Sequence, residues 1–181
     1  MRETEFEDEF HRLLGRLVHA TARFDFNVGL QLNSFGIYYQ RDVRELLDPC
    51  KTQLKVRLKE LRKIVLKAYK SAGETALAEF EEWFARADKA RALRNDYVHA
   101  RWGVPGKYLG GPDCALIDAI PLLTVLSLTW DMSPNQPDKS TAMTLYEFAQ
   151  QVETVEGLFA DYWKLSKTYE RFARLGTEGL D

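Results

Sequence analysis

The chain has 181 residues, 45% hydrophobic and 29% charged, with 25 basic against 27 acidic side chains and a formal net charge of -2. This balance fits one soluble domain over residues 1–181 and excludes a disordered or fibrous chain. No run of about 18 apolar residues exists, and Glu3 to Glu9 is acidic where a signal peptide is basic and then apolar, so a cytoplasmic protein without a membrane partner is expected.

The first predicted element runs from near Glu3 to near Ser34, where Phe6, Phe10, Leu13, Leu14, Leu17, Val18, Thr21, Phe24 and Val28 recur at three- and four-residue steps. Asn33, Ser34 and Gly36 supply its expected stop. His11 and His19 are eight residues apart, too far for a metal pair on one helical turn, and are read as surface or satisfied core residues. A short helix is expected around Arg41 to Leu47, ending before Pro49. Leu54, Leu58, Leu61, Val65 and Ala68 then predict an amphipathic helix from about Thr52 to Ser71. Over Lys51 to Lys70 this segment carries eight basic residues against the single acid Glu60, so a basic stripe sits on a nearly neutral chain. Such a stripe attracts a polyanion locally, or is simply a solvated face.

A third main helix starts near Glu74, after Gly73, with Leu77, Phe80, Phe84 and Ala87 as its apolar set and Trp83, Ala90 and Leu93 on its flanks. Extending that register leads to Arg91, Arg94 and Val98, so an apolar stripe turns cationic. Beyond Gly103 the glycines and prolines mark turns, and alternation through Ile120 to Met132 predicts a strand. A β-hairpin is therefore expected at about 104–133, followed by a loop from Ser133 to Lys139. Thr144 and Glu147 form a capping box for a last helix that continues to about Arg174 through Leu145, Phe148, Val152, Val155, Phe159, Tyr162, Ser166 and Tyr169. The fold expected is mainly α, a bundle of four to five helices with one inserted hairpin. Cys50 and Cys114 make neither a disulfide framework nor a metal pair and are read as packed thiols; no metal site and no cofactor are expected.

Chemistry concentrates in Arg91 to Gly103. Arg94 offers a permanently charged planar fork suited to phosphate oxygens, and His99 an imidazole suited to proton transfer near neutrality. On a regular helix these two point about 140° apart, whereas Asn95 and His99 share a face. Either the helix ends near His99, or a second helix or subunit completes the cluster.

Arg94-Asn95-Asp96-Tyr97-Val98-His99 resembles the signature of the HEPN superfamily (higher eukaryotes and prokaryotes nucleotide-binding domains). That signature is an arginine followed by four to six residues and a histidine, with a polar residue after the arginine. The resemblance implies an up-and-down HEPN-like bundle of four to five helices. It also implies a metal-independent endoribonuclease acting as a homodimer on RNA, as a toxin or phage-defence or stress factor, with an antitoxin protein as a further partner. In that scheme His99 exchanges the proton of the ribose 2'-hydroxyl, Arg94 stabilises charge on the phosphoryl oxygens and Asn95 orients His99 or the phosphate. Lys55, Arg62, Lys63, Arg91 and Arg101 would hold the RNA backbone. The sequence departs from one branch of the family, in which a tyrosine lies two residues after the histidine; Arg101 stands there, and Tyr97 is not given its role.

Two other readings stand beside catalysis. One is a non-catalytic nucleotide- or RNA-binding module, binding through Lys55, Arg62 and Lys63. The other is a dimeric interaction protein in which Arg94, Asn95 and His99 form a buried polar network and Phe159, Tyr162 and Trp163 are the sensitive positions.

Overall fold

The computed structural model describes residues 3–48, 50–99, 101–102, 106–107, 121–126 and 140–173. The described chain is mainly helical: α1 (Glu3–Tyr38), α2 (Arg44–Leu47), α3 (Leu54–Ala68), α4 (Glu74–His99) and α5 (Leu145–Thr168), with short 3-10 turns at Lys70–Ala72 and Glu170–Phe172. Four short strands accompany them: β1 (Arg101–Trp102), β2 (Gly106–Lys107), β3 (Pro121–Leu126) and β4 (Ser140–Thr144). The fold groups into two compact units, one of residues 1–19 with 92–154, the other of residues 20–91 with 155–181.

In the second unit four helical segments enclose an aromatic core. Phe24 and Val28 of α1, Leu61 and Val65 of α3, Phe80 and Trp83 of α4 and Leu158 and Tyr162 of α5 are all buried. Trp83 is the hub: its ring lies 6.0 Å from Phe24 and 4.9 Å from Tyr162. Its indole N–H donates to the Leu158 carbonyl at 2.8 Å, so the polar edge of a buried ring is satisfied. Charged pairs tie the same helices at their rims, Arg62 to Glu81 at 2.6 Å and Arg86 to Asp161 at 2.7 Å. Arg57, which the helical pattern of α3 placed among solvated charges, is instead buried and bonds Asp25 of α1 at 3.0 Å. Gly29 lies one turn beyond Asp25 on α1, and a Cβ built there comes within 4.0 Å of the Arg57 guanidinium.

Helix α1 continues past Ser34 to Tyr38, four residues beyond the expected stop. The reason is that Gly36 serves packing rather than termination. A Cβ there would meet Val43 at 2.6 Å, so only glycine lets the returning chain close against the last turn. The turn itself is made at Gln40, whose φ of 52° ends the helix, and Arg41 N–H bonds the Gly36 carbonyl at 2.9 Å.

In the first unit β3 is the central strand. Its Leu122 is paired antiparallel with Gly106 of β2 on one side and with Thr144 of β4 on the other, and β1 pairs further along at Arg101 with Leu126. Of the hairpin expected at about 104–133, only 106–107 and 121–126 are described; the rest, and the loop expected over Ser133 to Lys139, lie outside the described residues. The longer partner of β3 is β4, five residues that the sequence reading did not treat as a strand. β4 runs straight into α5, and Thr144 is both its last residue and the helix cap. Thr144 N–H donates to Glu147 at 2.7 Å and Glu147 N–H donates to the Thr144 hydroxyl at 3.2 Å, the expected reciprocal box. The Thr144 N–H, and after it the Thr144 hydroxyl at 3.0 Å, donate to the Glu147 carboxyl and hold it below its ordinary pKa.

Candidate functional site

The last two turns of α4 carry the candidate residues, and the buried side of those turns is set by Tyr97. Along α4 the buried positions are Ala76, Phe80, Trp83, Phe84, Ala87, Ala90 and then Tyr97. The stripe therefore passes one residue away from the expected Arg91–Arg94–Val98 line. Val98 is exposed, while Arg91 and Arg94 are partly buried at the stripe's edge. The shift arises because Trp83, read from the sequence as a flank, is the centre of its face; adding seven twice gives Ala90 and Tyr97.

Tyr97 fastens this end of the helix. Its phenol donates to Gln151 Oε1 of α5 at 2.5 Å and lies 3.4 Å from Met143 Sδ of β4. Burial pushes the phenol up to about 12. Its carbonyl accepts the indole N–H of Trp102 at 3.1 Å. In the last turn of a helix the carbonyls have no intrahelical donor, so this bond caps one of them. Trp102 also packs its ring 4.5 Å from Phe10 and 5.4 Å from Tyr97. It is thus a core anchor, with its polar edge satisfied by the Tyr97 carbonyl.

Against this support the motif side chains point outward. Asn95 and His99 are exposed and Arg94 is partly exposed, so they do not form a buried polar network within the chain. Arg94 Nη1 donates to Asn95 Oδ1 at 3.0 Å, which brings these two together. His99 is the last residue of α4, and since the helix is continuous from Arg94, helical geometry separates the two azimuths by about 140°. One chain therefore does not present Arg94 and His99 on one face. Asp96 is exposed and, among the described residues, makes no ion pair with Arg94.

The proposed backbone-holding cations divide. Arg101 lies in β1 opposite Leu126, and its side chain is outside what is described. Lys55, Arg62, Lys63 and Arg91 belong to the other unit. Lys55 is exposed, and among the described residues it has no ion pair. Arg62 is held by Glu81 at 2.6 Å, Lys63 by Glu60 at 2.6 Å and Arg91 by Asp88 at 2.8 Å. Exposed pairs of this kind are worth about 0–1 kcal/mol and exchange readily for another anion.

Other expectations need correction. Cys50 is exposed rather than packed, because it follows α2 at a surface turn where its N–H bonds Asp48 at 2.9 Å; Cys114 lies outside the described residues. Tyr162 is buried against Trp83 and Phe80 in its own unit, so a change there would damage the core before any interface. Phe159 is partly buried and Trp163 is half exposed. His11 and His19 are both exposed. Among the described residues no three His, Cys, Asp or Glu side chains gather as a metal set, and no helix is long and apolar enough to cross a membrane.

Sequence reasoning missed the Tyr97–Gln151–Trp102 network and the Arg57–Asp25 pair. The first had a readable signal in the seven-residue step from Ala90; the second had none, since one more arginine in a basic stripe is indistinguishable by pattern. Comparison of the chain with protein-family models, curated proteins and solved structures finds no match.

Proposed function

We propose that this chain is a metal-independent endoribonuclease of HEPN type, with an up-and-down helical bundle and inserted hairpin, that works in the cytoplasm as a homodimer in defence or stress response. The observation that carries the reading is the state of Arg94. Of the three arginines of α4, Arg86 and Arg91 are held by carboxylates, whereas Arg94 is bound by the neutral amide of Asn95 and keeps the rest of its fork available for a phosphate. His99 stands exposed one turn further, at the helix end.

In this reading the His99 imidazole takes the proton of the ribose 2'-hydroxyl. The freed oxygen bonds to phosphorus, the bond from phosphorus to the 5'-oxygen breaks, and an imidazolium returns a proton to that oxygen. The products are a 2',3'-cyclic phosphate end and a 5'-hydroxyl end, so DNA is not a substrate. Because one chain directs Arg94 and His99 to different sides, the phosphate is served by one chain's His99 and the partner's Arg94. Lys55 is available for the RNA backbone at once, and Arg62, Lys63 and Arg91 by exchange from their surface carboxylates.

A second reading is a non-catalytic dimeric nucleotide- or RNA-binding or protein-interaction module. It is favoured by the divergence of Arg94 and His99 along the continuous helix, since one chain does not present both on one face. Purified protein incubated with total RNA in EDTA, beside His99→Ala, separates the two. Cleavage by the wild type alone, leaving cyclic phosphate ends, supports catalysis. Cleavage by both proteins or by neither overturns it, and retained binding without cleavage supports the second reading.

A further inference from the structure

The lysines of α3 fall in one row. Lys55, Lys59, Lys63 and Lys67 follow each other at four-residue steps, and all four are exposed. Each step rises about 6 Å along the helix and turns about 40° around it, so the row winds rather than lying in a plane. Among the described residues no carboxylate pairs with Lys55 or Lys59. The one acid of α3, Glu60, binds Lys63 at 2.6 Å, an exposed pair of the kind that exchanges for another anion. Lys59, in the middle of this run, has no part in the cleavage scheme.

We infer that this row grips the sugar-phosphate backbone of a single nucleic-acid strand without regard to its sugar, so that DNA is held there uncut as RNA is held. Three features select that occupant. A membrane-surface helix sinks its apolar face into lipid, but Leu58, Leu61, Ile64 and Val65 of α3 are buried in the core of their own unit. A flat anionic surface would also meet only part of a row that turns about 80° from Lys55 to Lys63, whereas a flexible strand follows the turn. A protein partner needs apolar or aromatic anchors at the centre of its interface, where lysine is depleted; among the described residues α3 exposes one large apolar side chain, Val56, at 44%. A nucleic-acid strand carries a negative charge on every nucleotide and needs no such anchor. Lysine is a point charge without arginine's planar fork, and a row that touches only phosphates carries no base or sugar information.

The inference deepens the ribonuclease reading and rests on it for RNA as the strand that is cut; the grip itself uses no residue of α4. It is tested by fluorescence anisotropy of the full chain, at up to about 200 µM, with a labelled oligo-dT of about 12 nucleotides in roughly 50–300 mM salt. This strand has no 2'-hydroxyl and stays intact. With Lys55, Lys59 and Lys63 each neutralising a phosphate, log Kd should rise with log salt at a slope of about 2, roughly 0.7 per contact, and Kd should lie near 10–100 µM at about 100 mM salt. Lys55→Gln with Lys59→Gln should lower the slope to about 0.7 and weaken binding at least about tenfold, with helical circular dichroism unchanged. Lys89→Gln, which removes an exposed lysine of α4 outside the row, should change Kd by less than about twofold. Oligo-U with His99→Ala should bind within about threefold of the DNA. Absence of DNA binding, a slope unaltered by the double variant, or an equal loss from Lys89→Gln would each overturn the grip. So would RNA held more than about tenfold tighter than DNA, or tighter binding to phosphatidylserine vesicles or oligoglutamate. DNA binding without RNA cleavage keeps the grip and overturns catalysis, and RNA cleavage without DNA binding does the reverse, so the two ideas fail separately.

Discussion

Tyr97→Phe isolates the contribution of one hydroxyl to the helix end that carries the candidate site. The ring and its packing against Phe148 and Trp102 remain, while the bond to Gln151 at 2.5 Å is lost. A neutral hydrogen bond is worth about 0.5–1.5 kcal/mol and the partly buried Gln151 carbonyl is left unpaired, so the expected cost near pH 7 is about 1.5 kcal/mol. For a chain of this size that lowers Tm by about 3–6 °C. The difference then shrinks as the pH rises. The folded phenol is raised to about 12 from its ordinary 10.0, so the unfolded chain loses its proton first. The stabilisation this provides is complete below pH 10 and is lost as the pH rises towards 12. At pH 11 the wild type should have lost about 1.4 kcal/mol through this group, a loss Tyr97→Phe does not share. Urea unfolding followed by far-ultraviolet circular dichroism at pH 7 and pH 11 should therefore show the gap between the two proteins closing almost to zero. A gap that is the same at both pH values would refute the reasoning, as would one below about 0.3 kcal/mol at pH 7.

Three further outcomes follow from the packing. Asp25→Ala leaves the Arg57 charge, whose side chain is only 7% exposed, without its carboxylate and should cost about 3 kcal/mol; in the Arg57→Met background the same change should cost far less, as a double-mutant cycle in urea would measure. Gly15→Ala and Gly157→Ala meet nothing within 4 Å and should each raise stability by about 0.5–1 kcal/mol in thermal melts, whereas Gly36→Ala, at 2.6 Å from Val43, should lower it by about 1–3 kcal/mol. Thr144→Ala removes half of the capping box and should cost about 1 kcal/mol. Because the Thr144 backbone N–H and then its hydroxyl hold the Glu147 carboxyl below its ordinary 4.5, the deficit of Thr144→Ala should be full above that pH. It should shrink, without vanishing, as acid titrates the carboxylate through its lower folded value, since only the hydroxyl-to-carboxylate bond is lost with both the substitution and the charge.

Helical periodicity located the four longer helices, because an apolar stripe at steps of three and four has few other interpretations, while Pro49 marked the short α2; α5 ends at Thr168, about six residues before the expected Arg174. The Thr144–Glu147 box was equally legible, since both of its bonds are local in sequence. So was the clustering of Arg94, Asn95 and His99 on the final turns of α4, where helix geometry already dictates that the first and last of them diverge. Tertiary structure decided what each face meets. It moved the buried line of α4 from Arg94 and Val98 to Tyr97, because Trp83 and not its neighbours occupies the centre of the core. It took Arg57 out of a basic stripe and set it on Asp25, 32 residues away, and it brought β4 to β3 across a segment with no local pairing signal. Patterns record which side of an element is apolar; which partner lies against that side depends on contacts between residues far apart in the chain, and no spacing within one element encodes them.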